Sequence, residues 1–345
     1  MRYQPVCKTL HEGVVEEAKR SVEKLNRELA RRFPQQDYTL IGWLSDMHVH
    51  AEQGYEKEFQ SLAYKEFVNT RRQLELALEE IKALQPHPAF LLLGGDLTDY
   101  GLPEEFAVVK ALLGKSKLSV PTMPIFGNHE NGMLREGINP DVVRDWAKIK
   151  QPEWPDMEDP VELYYSFEAV GLKFLVLDTM QKSSYRMSAR QKQWLKRELD
   201  GLDKPTIVFC HRHQLSVGSW VDAVSIFEDR EVWQMLDASP HILGCFSGHV
   251  HYPRLWQLRR KLYCTFPALA YGIGAGTGWG GIVIREGRIA AVFYKELFDE
   301  SYDMVTGALA HQEGKFVFME PELFENSPLC HPGHWHFRER PDERD

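Results

Sequence analysis

No stretch of this 345-residue chain approaches the ~18 consecutive apolar residues that a membrane-spanning helix requires. Nor do Met1 to Arg20 contain the apolar core of a secretory leader. The expectation is a cytoplasmic protein with no membrane partner. Positive charge is also scarce: 41 Lys and Arg against 50 Asp and Glu leave a net charge of −9. Nucleic-acid backbones are gripped by clustered cations, so nucleic acid is not expected as the main partner. The five cysteines, Cys7, Cys210, Cys245, Cys264 and Cys330, are an odd and small number for such a length. Two fall inside strand-like runs, and reduced, buried thiols are expected rather than a disulfide framework.

Two nucleotide-binding loops are missing despite letters that suggest them. Lys110 to Ser116 ends like a Walker A loop, but Val109 stands where its first glycine belongs. Gly276-Thr277-Gly278-Trp279-Gly280-Gly281 spells GxGxxG, yet it precedes the strand-like Ile282-Val283-Ile284 where a dinucleotide fingerprint needs a helix. That run reads as a loop near the site mouth or as a plain connection between strands. There is no internal repeat and no flexible interdomain linker.

What is present is an ordinary globular composition, 43% apolar and 26% charged, with ample material for a core. Residues 9–33 carry Leu10, Val14, Ala18, Val22, Leu25 and Leu29 at steps of three or four, which predicts an amphipathic helix packed on the outside of the core. Further helices are predicted over 60–84, 103–113, 140–149, 188–199 and 227–237, and strands over 162–168, 173–178, 261–266, 281–285 and 288–294. Strands that alternate with helices early and pair with one another later fit two packed sheets with helices on both outer faces. The expected division is an amino-terminal helix over residues 1–37, a single α/β domain over 38–300 and a carboxyl-terminal extension over 301–345.

Five polar blocks punctuate this pattern in order. They are Asp46-Met47-His48, Gly95-Asp96-Leu97-Thr98-Asp99, Gly127-Asn128-His129-Glu130, His211 and Gly248-His249-Val250-His251. Each follows an apolar run of strand character, so acids, imidazoles and an amide gather at carboxyl ends of strands, where layered α/β proteins assemble their sites. Such mixed N/O donors suit Mn, Fe, Co, Ni or Zn. Seven groups are too many for one ion, and two ions sharing a carboxylate would accommodate them. In extended chain Asp46 and His48 would point the same way, whereas His249 and His251 need a turn, which Gly248 makes plausible.

The arrangement DxH, GDxxD, GNHE, H, GHxH, spanning Asp46 to His251, resembles the calcineurin-like metallophosphoesterase superfamily. The resemblance implies the metallo-dependent phosphatase fold, a four-layer αββα sandwich with two packed mixed sheets. It implies two divalent or trivalent metal ions, Mn, Fe or Zn. Asp46, His48 and His251 would hold the first, Asn128, His211 and His249 the second, and Asp96 would bridge them. A metal-bridging hydroxide would attack phosphorus. His129, not a ligand, would protonate the departing oxygen, with the Asp99 carboxylate accepting its hydrogen bond. Because Asp99 stands where purple acid phosphatases place a tyrosine, no tyrosinate-to-iron charge transfer is expected.

The segment from His211 to Asp222 resembles the HHxPLxxG-x-W-x-D segment of class III cyclic nucleotide phosphodiesterases and their glycerophosphodiesterase relatives, with Arg212 and Gln214 as departures. A small phosphodiester is therefore the expected substrate. For Arg212 and His213 the two readings are contact with a phosphate oxygen and solvation at the surface, of which solvation is expected. The alternatives are a phosphomonoesterase, including a protein phosphatase, and a non-catalytic scaffold of the same fold. Against the former, Tyr100 follows GDLTD where protein phosphatases carry Arg; against the latter, His129 and all seven ligands are retained. His50 stays outside the ligand set, and His331, His334 and His336 read as part of a solvated tail. Oligomeric state has no signature in the sequence.

Overall fold

The structure, a computed structural model, describes residues 12–51, 69–130, 163–179, 187–214, 227, 229–272, 276–298, 300–303, 306 and 308–323. The helix expected at 140–149, the start of the one expected at 60–84, the segment 215–226, Cys7, Cys330 and the histidines of the tail lie outside them.

Two sheets carry the chain. The first half contributes α1 (Glu12–Arg32), β1 (Thr39–Leu44), α2 (Thr70–Lys82), β2 (Phe90–Gly94), α3 (Pro103–Ser116) and β3 (Thr122–Ile125). Then come β4 (Tyr165–Ala169), β5 (Leu172–Leu177), α4 (Ala189–Asp200), β6 (Thr206–Cys210), α5 (Arg230–Ala238), β7 (Ile242–Ser247), β8 (Arg254–Leu258) and β9 (Lys261–Thr265). The last part is all strand: β10 (Gly278–Arg285), β11 (Arg288–Glu296), β12 (Glu300–Asp303), β13 (Ala308–His311), β14 (Phe316–Phe318) and β15 (Glu322–Leu323). One sheet has the order β14-β11-β10-β1-β2-β3, the other β15-β8-β9-β7-β6-β5-β4, and β12 pairs with β13.

Alternation of side chains builds the layers. On β2, Phe90 and Leu92 face the other sheet, where Phe174, Val176, Phe209 and Phe246 meet Ile41, Trp43 and Ile125. Leu91 and Leu93 face outward into a cluster with Val22, Leu25 and Leu29 of α1, Leu74 and Leu78 of α2 and Phe106 and Val109 of α3. On the second sheet, Val208 and Cys210 of β6 pack beneath Trp194 and Leu195 of α4 and Val232 and Leu236 of α5. The result is the expected αββα sandwich. Burying one such Leu or Phe side chain contributes ~1.5–3 kcal/mol, so β2 and β6 anchor the residues that follow them.

Local signals set the helix starts. Asn69 Oδ1 accepts from Arg72 N at 3.1 Å, and Ser188 Oγ accepts from Gln191 N at 3.0 Å, each satisfying a first-turn amide. None of the described helices is long and apolar enough to cross a membrane.

Gly278 to Gly281 turn out to lie in β10, not in a loop. A Cβ on Gly280 would collide with the Phe266 ring, so the glycine lets the sheets approach. The extension beyond residue 300 adds a strand to each sheet: β14 pairs with β11, and β15 with β8. It also reaches α1, where the Arg32 guanidinium lies 4.1 Å from the centroid of the Phe318 ring.

Candidate metal centre

Parallel strands β1, β2 and β3 of one sheet and β5, β6 and β7 of the other end on the same side of the sandwich. Five of the six are followed by a polar block: β1 by Asp46 and His48, β2 by Asp96, β3 by Asn128, β6 by His211 and β7 by His249 and His251. Backbone hydrogen bonds lock the blocks together. Asp46 N donates to Gly95 O at 2.9 Å, His48 N to Asp96 O at 3.0 Å, and Gly248 N to His211 O at 3.1 Å.

The convergence does not come from extended chain. Asp46, His48, Asp96, His249 and His251 all have positive φ, between 43° and 70°. Left-handed backbone at non-glycine residues persists only where surrounding contacts impose it, and it gathers at functional sites. The turn expected at Gly248-His249-Val250-His251 is present; the extended geometry expected at Asp46-Met47-His48 is not.

Three groups of donors result: Asp46 with His48 and His251, Asp96 with His211 and His249, and His48 with Asp99 and His129. In the first, His48 Nε2 and His251 Nε2 stand 3.2 Å apart, and His251 Nε2 is 3.3 Å from Asp46 Oδ1. In the second, His211 Nε2 lies 3.1 Å from Asp96 Oδ2 and 3.2 Å from His249 Nδ1. The two groups adjoin at Asp96, whose Oδ2 is also 3.9 Å from His48 Nε2. Asp46, His48, Asp96, His211 and His251 are all at most 3% exposed.

The opposite ring nitrogens are fixed by backbone carbonyls. His211 Nδ1 donates to Gly94 O at 2.8 Å and His251 Nδ1 to Tyr271 O at 2.9 Å, leaving the Nε2 lone pairs turned inward. Asn128 Oδ1 is buried with no hydrogen-bond partner among the described residues. Ligand bonds of ~2.0–2.1 Å to nitrogen let two atoms 3.2 Å apart share one ion, so these residues fit metal ions.

Electrostatics follow from packing acids against imidazoles. Burial opposes the charge of Asp96, but His211 and His129 outweigh it and hold the carboxyl well below its ordinary range. His211 is pushed up to about 9: burial works against its cation, and Asp96 prevails. His249 is driven well below an ordinary imidazole, by burial first and then by His211. His48 is lowered by burial and by His129.

His129 sits at the rim, its side chain 19% exposed, with Nε2 3.9 Å from Asp96 Oδ2. Its Nδ1 donates to the backbone carbonyl of Asp99 at 2.7 Å. The acceptor expected there was the Asp99 carboxylate, but that group lies 3.7 Å from both His129 Nδ1 and His48 Nδ1, between the two rings. Burial disfavours the imidazolium of His129, yet Asp96 and the Asp99 carbonyl raise its pKa.

Residues 39–253, more than half of the chain, match the family model described as Calcineurin-like phosphoesterase. The chain belongs to the calcineurin-like phosphoesterase family. Members are phosphoric ester hydrolases that use divalent metal ions, and this calcineurin-like phosphoesterase is an enzyme of that class. It is 24% identical over 201 residues, 57% of this chain and 68% of the relative, to a glycerophosphodiester phosphodiesterase of Enterobacter lignolyticus. It is 24% identical over 236 residues, 67% of this chain and 78% of the relative, to a 3',5'-cyclic-nucleotide phosphodiesterase of Nostoc sp.. In fold it is similar to a dimetal phosphatase from Danio rerio, with a TM-score of 0.57 at 13% identity, covering 82% of this chain and 99% of that one. It is also similar in fold to a purple acid phosphatase from yellow lupin, with a TM-score of 0.53 at 15% identity, covering 83% of this chain but 54% of that one.

Some residues at the site carry no mark in the sequence, and others take roles that the motifs did not announce. Ser45 Oγ donates to Asp46 Oδ2 at 2.5 Å, which leaves Oδ1 facing His251. Glu130, the last letter of GNHE, accepts from Thr98 N at 2.8 Å and Thr98 Oγ1 at 2.9 Å, and from Gly127 N at 2.8 Å. It thereby staples one block to the next. Arg212 and His213, expected at the solvated surface, are 5% and 1% exposed. They follow β6 directly, with Arg212 N donating to Thr179 Oγ1 at 3.2 Å, and their charges help to lower the pKa of His249.

Proposed function

We propose that this protein hydrolyses a small phosphodiester, of the cyclic-nucleotide or glycerophosphodiester kind, at a centre of two metal ions. Asp46, His48 and His251 would hold one ion, Asn128, His211 and His249 the other, and Asp96 would touch both. The observation that carries this reading is the placement of Asp96. Its Oδ2 faces His211 on one side and His48 on the other, while its Oδ1 is engaged by His129 N at 2.9 Å.

Metal ions bound there would screen the phosphoryl oxygens and make water nucleophilic at neutral pH. Everything else falls to the chain itself. His129 carries its Nδ1 proton into the Asp99 carbonyl, so its Nε2 is the atom that hands a proton to the departing alkoxide. Asp99 lies between the His129 and His48 rings, where its charge favours the imidazolium. Ser45 and the carbonyls of Gly94 and Tyr271 hold the donors in place. The diester preference is supported by the likeness to two phosphodiesterases and by Tyr100 after GDLTD. Buried thiols at Cys210, Cys245 and Cys264 suit a reducing compartment, which supports the cytoplasm.

The test is elemental analysis beside parallel assays. Protein loaded with Mn, Fe or Zn is expected to hold two ions per chain and to prefer bis-p-nitrophenyl phosphate to p-nitrophenyl phosphate. Cyclic nucleotides and glycerophosphodiesters then separate the two diester kinds. A preference for the monoester, or no turnover on any phosphoester, would overturn the proposal.

A further inference from the structure

Tyr271 stands outside every polar block, twenty residues beyond His251, yet it lies directly against the first donor group. Its ring centroid is 4.4 Å from that of His251 and 5.1 Å from that of His48. The two imidazoles are themselves 5.1 Å apart, so the three rings form a closed triangle. The tyrosine is 7% exposed. Its backbone reinforces the contact, because its carbonyl takes the His251 Nδ1 proton at 2.9 Å.

The segment before it is tied to the same place. Leu269 N donates to Ser45 O at 3.0 Å and Ala270 N to Asp46 O at 3.1 Å. From the other side, Gln73 Nε2 of α2 donates to Ala270 O at 3.2 Å. Tyr271 is thus registered to the backbone of Asp46, and its ring meets the two imidazoles that complete that group.

A histidine can ligate only if its ring plane is held. One carbonyl fixes His251 along its Nδ1–H direction, but a single hydrogen bond leaves rotation about that line free. For His48 no such carbonyl is found among the described residues: its Nδ1 has no hydrogen-bond partner there, and the Asp99 carboxylate, the group facing it, stays 3.7 Å away. The rigid Tyr271 ring, inclined at 34° to His48 and 52° to His251, packs against both and supplies the missing restraint without contributing a ligand atom. Partners that orient ligating histidines typically contribute ~10–100-fold in metal affinity.

We infer that Tyr271 is a positioning residue for the first metal ion, its ring acting as a wall that sets the rotamers of His48 and His251. The inference rests on the two-ion reading above. It concerns the ring, not the hydroxyl.

The test compares Tyr271→Phe, Tyr271→Leu and Tyr271→Met, the last refilling the volume without a plane. Each metal-loaded protein is dialysed against graded chelator, its ions per chain are counted, and the fold of the metal-free protein is checked by circular dichroism. The expected result is that wild type and Tyr271→Phe keep two ions at a chelator concentration where Tyr271→Leu and Tyr271→Met keep one. Should Tyr271→Leu not fold, Tyr271→Met carries the comparison. Two ions kept by both non-aromatic variants would overturn the inference while leaving the two-ion reading intact. Equal loss in Tyr271→Phe would also overturn it, by moving the effect to the hydroxyl. Fewer than two ions in saturated wild type would sink the two-ion reading and the inference with it.

Discussion

Lys295 Nζ lies 2.8 Å from Glu80 Oε1, and neither side chain is exposed to water. The pair joins β11 to α2 behind the first sheet, and Glu80 is fully used: Trp279 Nε1 donates to its Oε2 at 2.6 Å and Phe298 N to its Oε1 at 3.1 Å. Burial pulls the Lys295 ammonium below its ordinary pKa, with Glu80 acting against the shift. Removing one partner strands a buried charge, which typically costs ~3–5 kcal/mol, whereas replacing both by apolar groups costs far less. Urea unfolding should therefore show Lys295→Met strongly destabilised, and Glu80→Leu/Lys295→Met less destabilised than the two single variants added together, the remainder reflecting the Trp279 and Phe298 donors left without Glu80. A double variant as unstable as the sum of the singles would contradict the pairing.

Asp96 and His129 touch the same centre in different capacities, and two variants separate them. Asp96→Ala removes the oxygen between the donor groups and the acceptor of His129 N, so metal content and turnover should both collapse. His129→Ala takes away no donor of the two groups that share Asp96, and should keep its metal while turnover falls ~10²–10⁴-fold. The fall should shrink for p-nitrophenolate, which leaves without a proton. Metal analysis beside kcat decides the matter, and equal metal loss in both variants would refute the role given to His129.

Gly127 is one of the glycines whose replacement bears directly on the site. A Cβ there would strike Asp96 Oδ1 and crowd the Asp96 backbone. Since Glu130 holds Gly127 N from the other side at 2.8 Å, the block cannot simply retreat. Gly127→Ala is expected to lose metal and to unfold more easily by ~1–3 kcal/mol. Metal content together with thermal midpoints checks this; a variant with wild-type metal content would show the crowding to be relieved.

The legible parts of the fold were those where one physical signal sufficed. Strands β1, β2, β3, β6 and β7 are buried on both faces and read as continuous apolar runs, each followed by its polar block. β8 was not legible because Arg254-Leu255-Trp256-Gln257-Leu258 is half polar, and only pairing with β9 makes it a strand. The glycines of β10 looked like a loop for want of side chains, although facing strands and Phe266 fill the space. At the site, residue types were readable but their geometry was not. Left-handed backbone at Asp46, His48 and Asp96 is imposed by hydrogen bonds between distant segments, such as His48 N to Asp96 O. Tyr271 and Ser45 touch the donors only after folding, so nothing in their spacing announces them.

Glu105 opens α3, where its Oε2 accepts from Tyr100 N at 2.9 Å and Leu102 N at 3.0 Å. It is fully buried. Burial, and then the charge of Glu130, push its carboxyl from 4.5 up to about 8, although the backbone donors act the other way. Between those values the folded protein holds a proton that the unfolded chain has released. The stability this contributes is complete below about 4.5 and declines as pH rises, until it is gone above about 8. Glu105→Gln keeps the acceptor and cannot ionise, so it should lack this decline. The stability difference, wild type minus variant, should fall with rising pH by up to ~1.4 kcal/mol per unit across the window. Denaturant midpoints of both proteins from pH 5 to 8 measure it, and a flat difference would mean that Glu105 is already ionised in the folded state throughout.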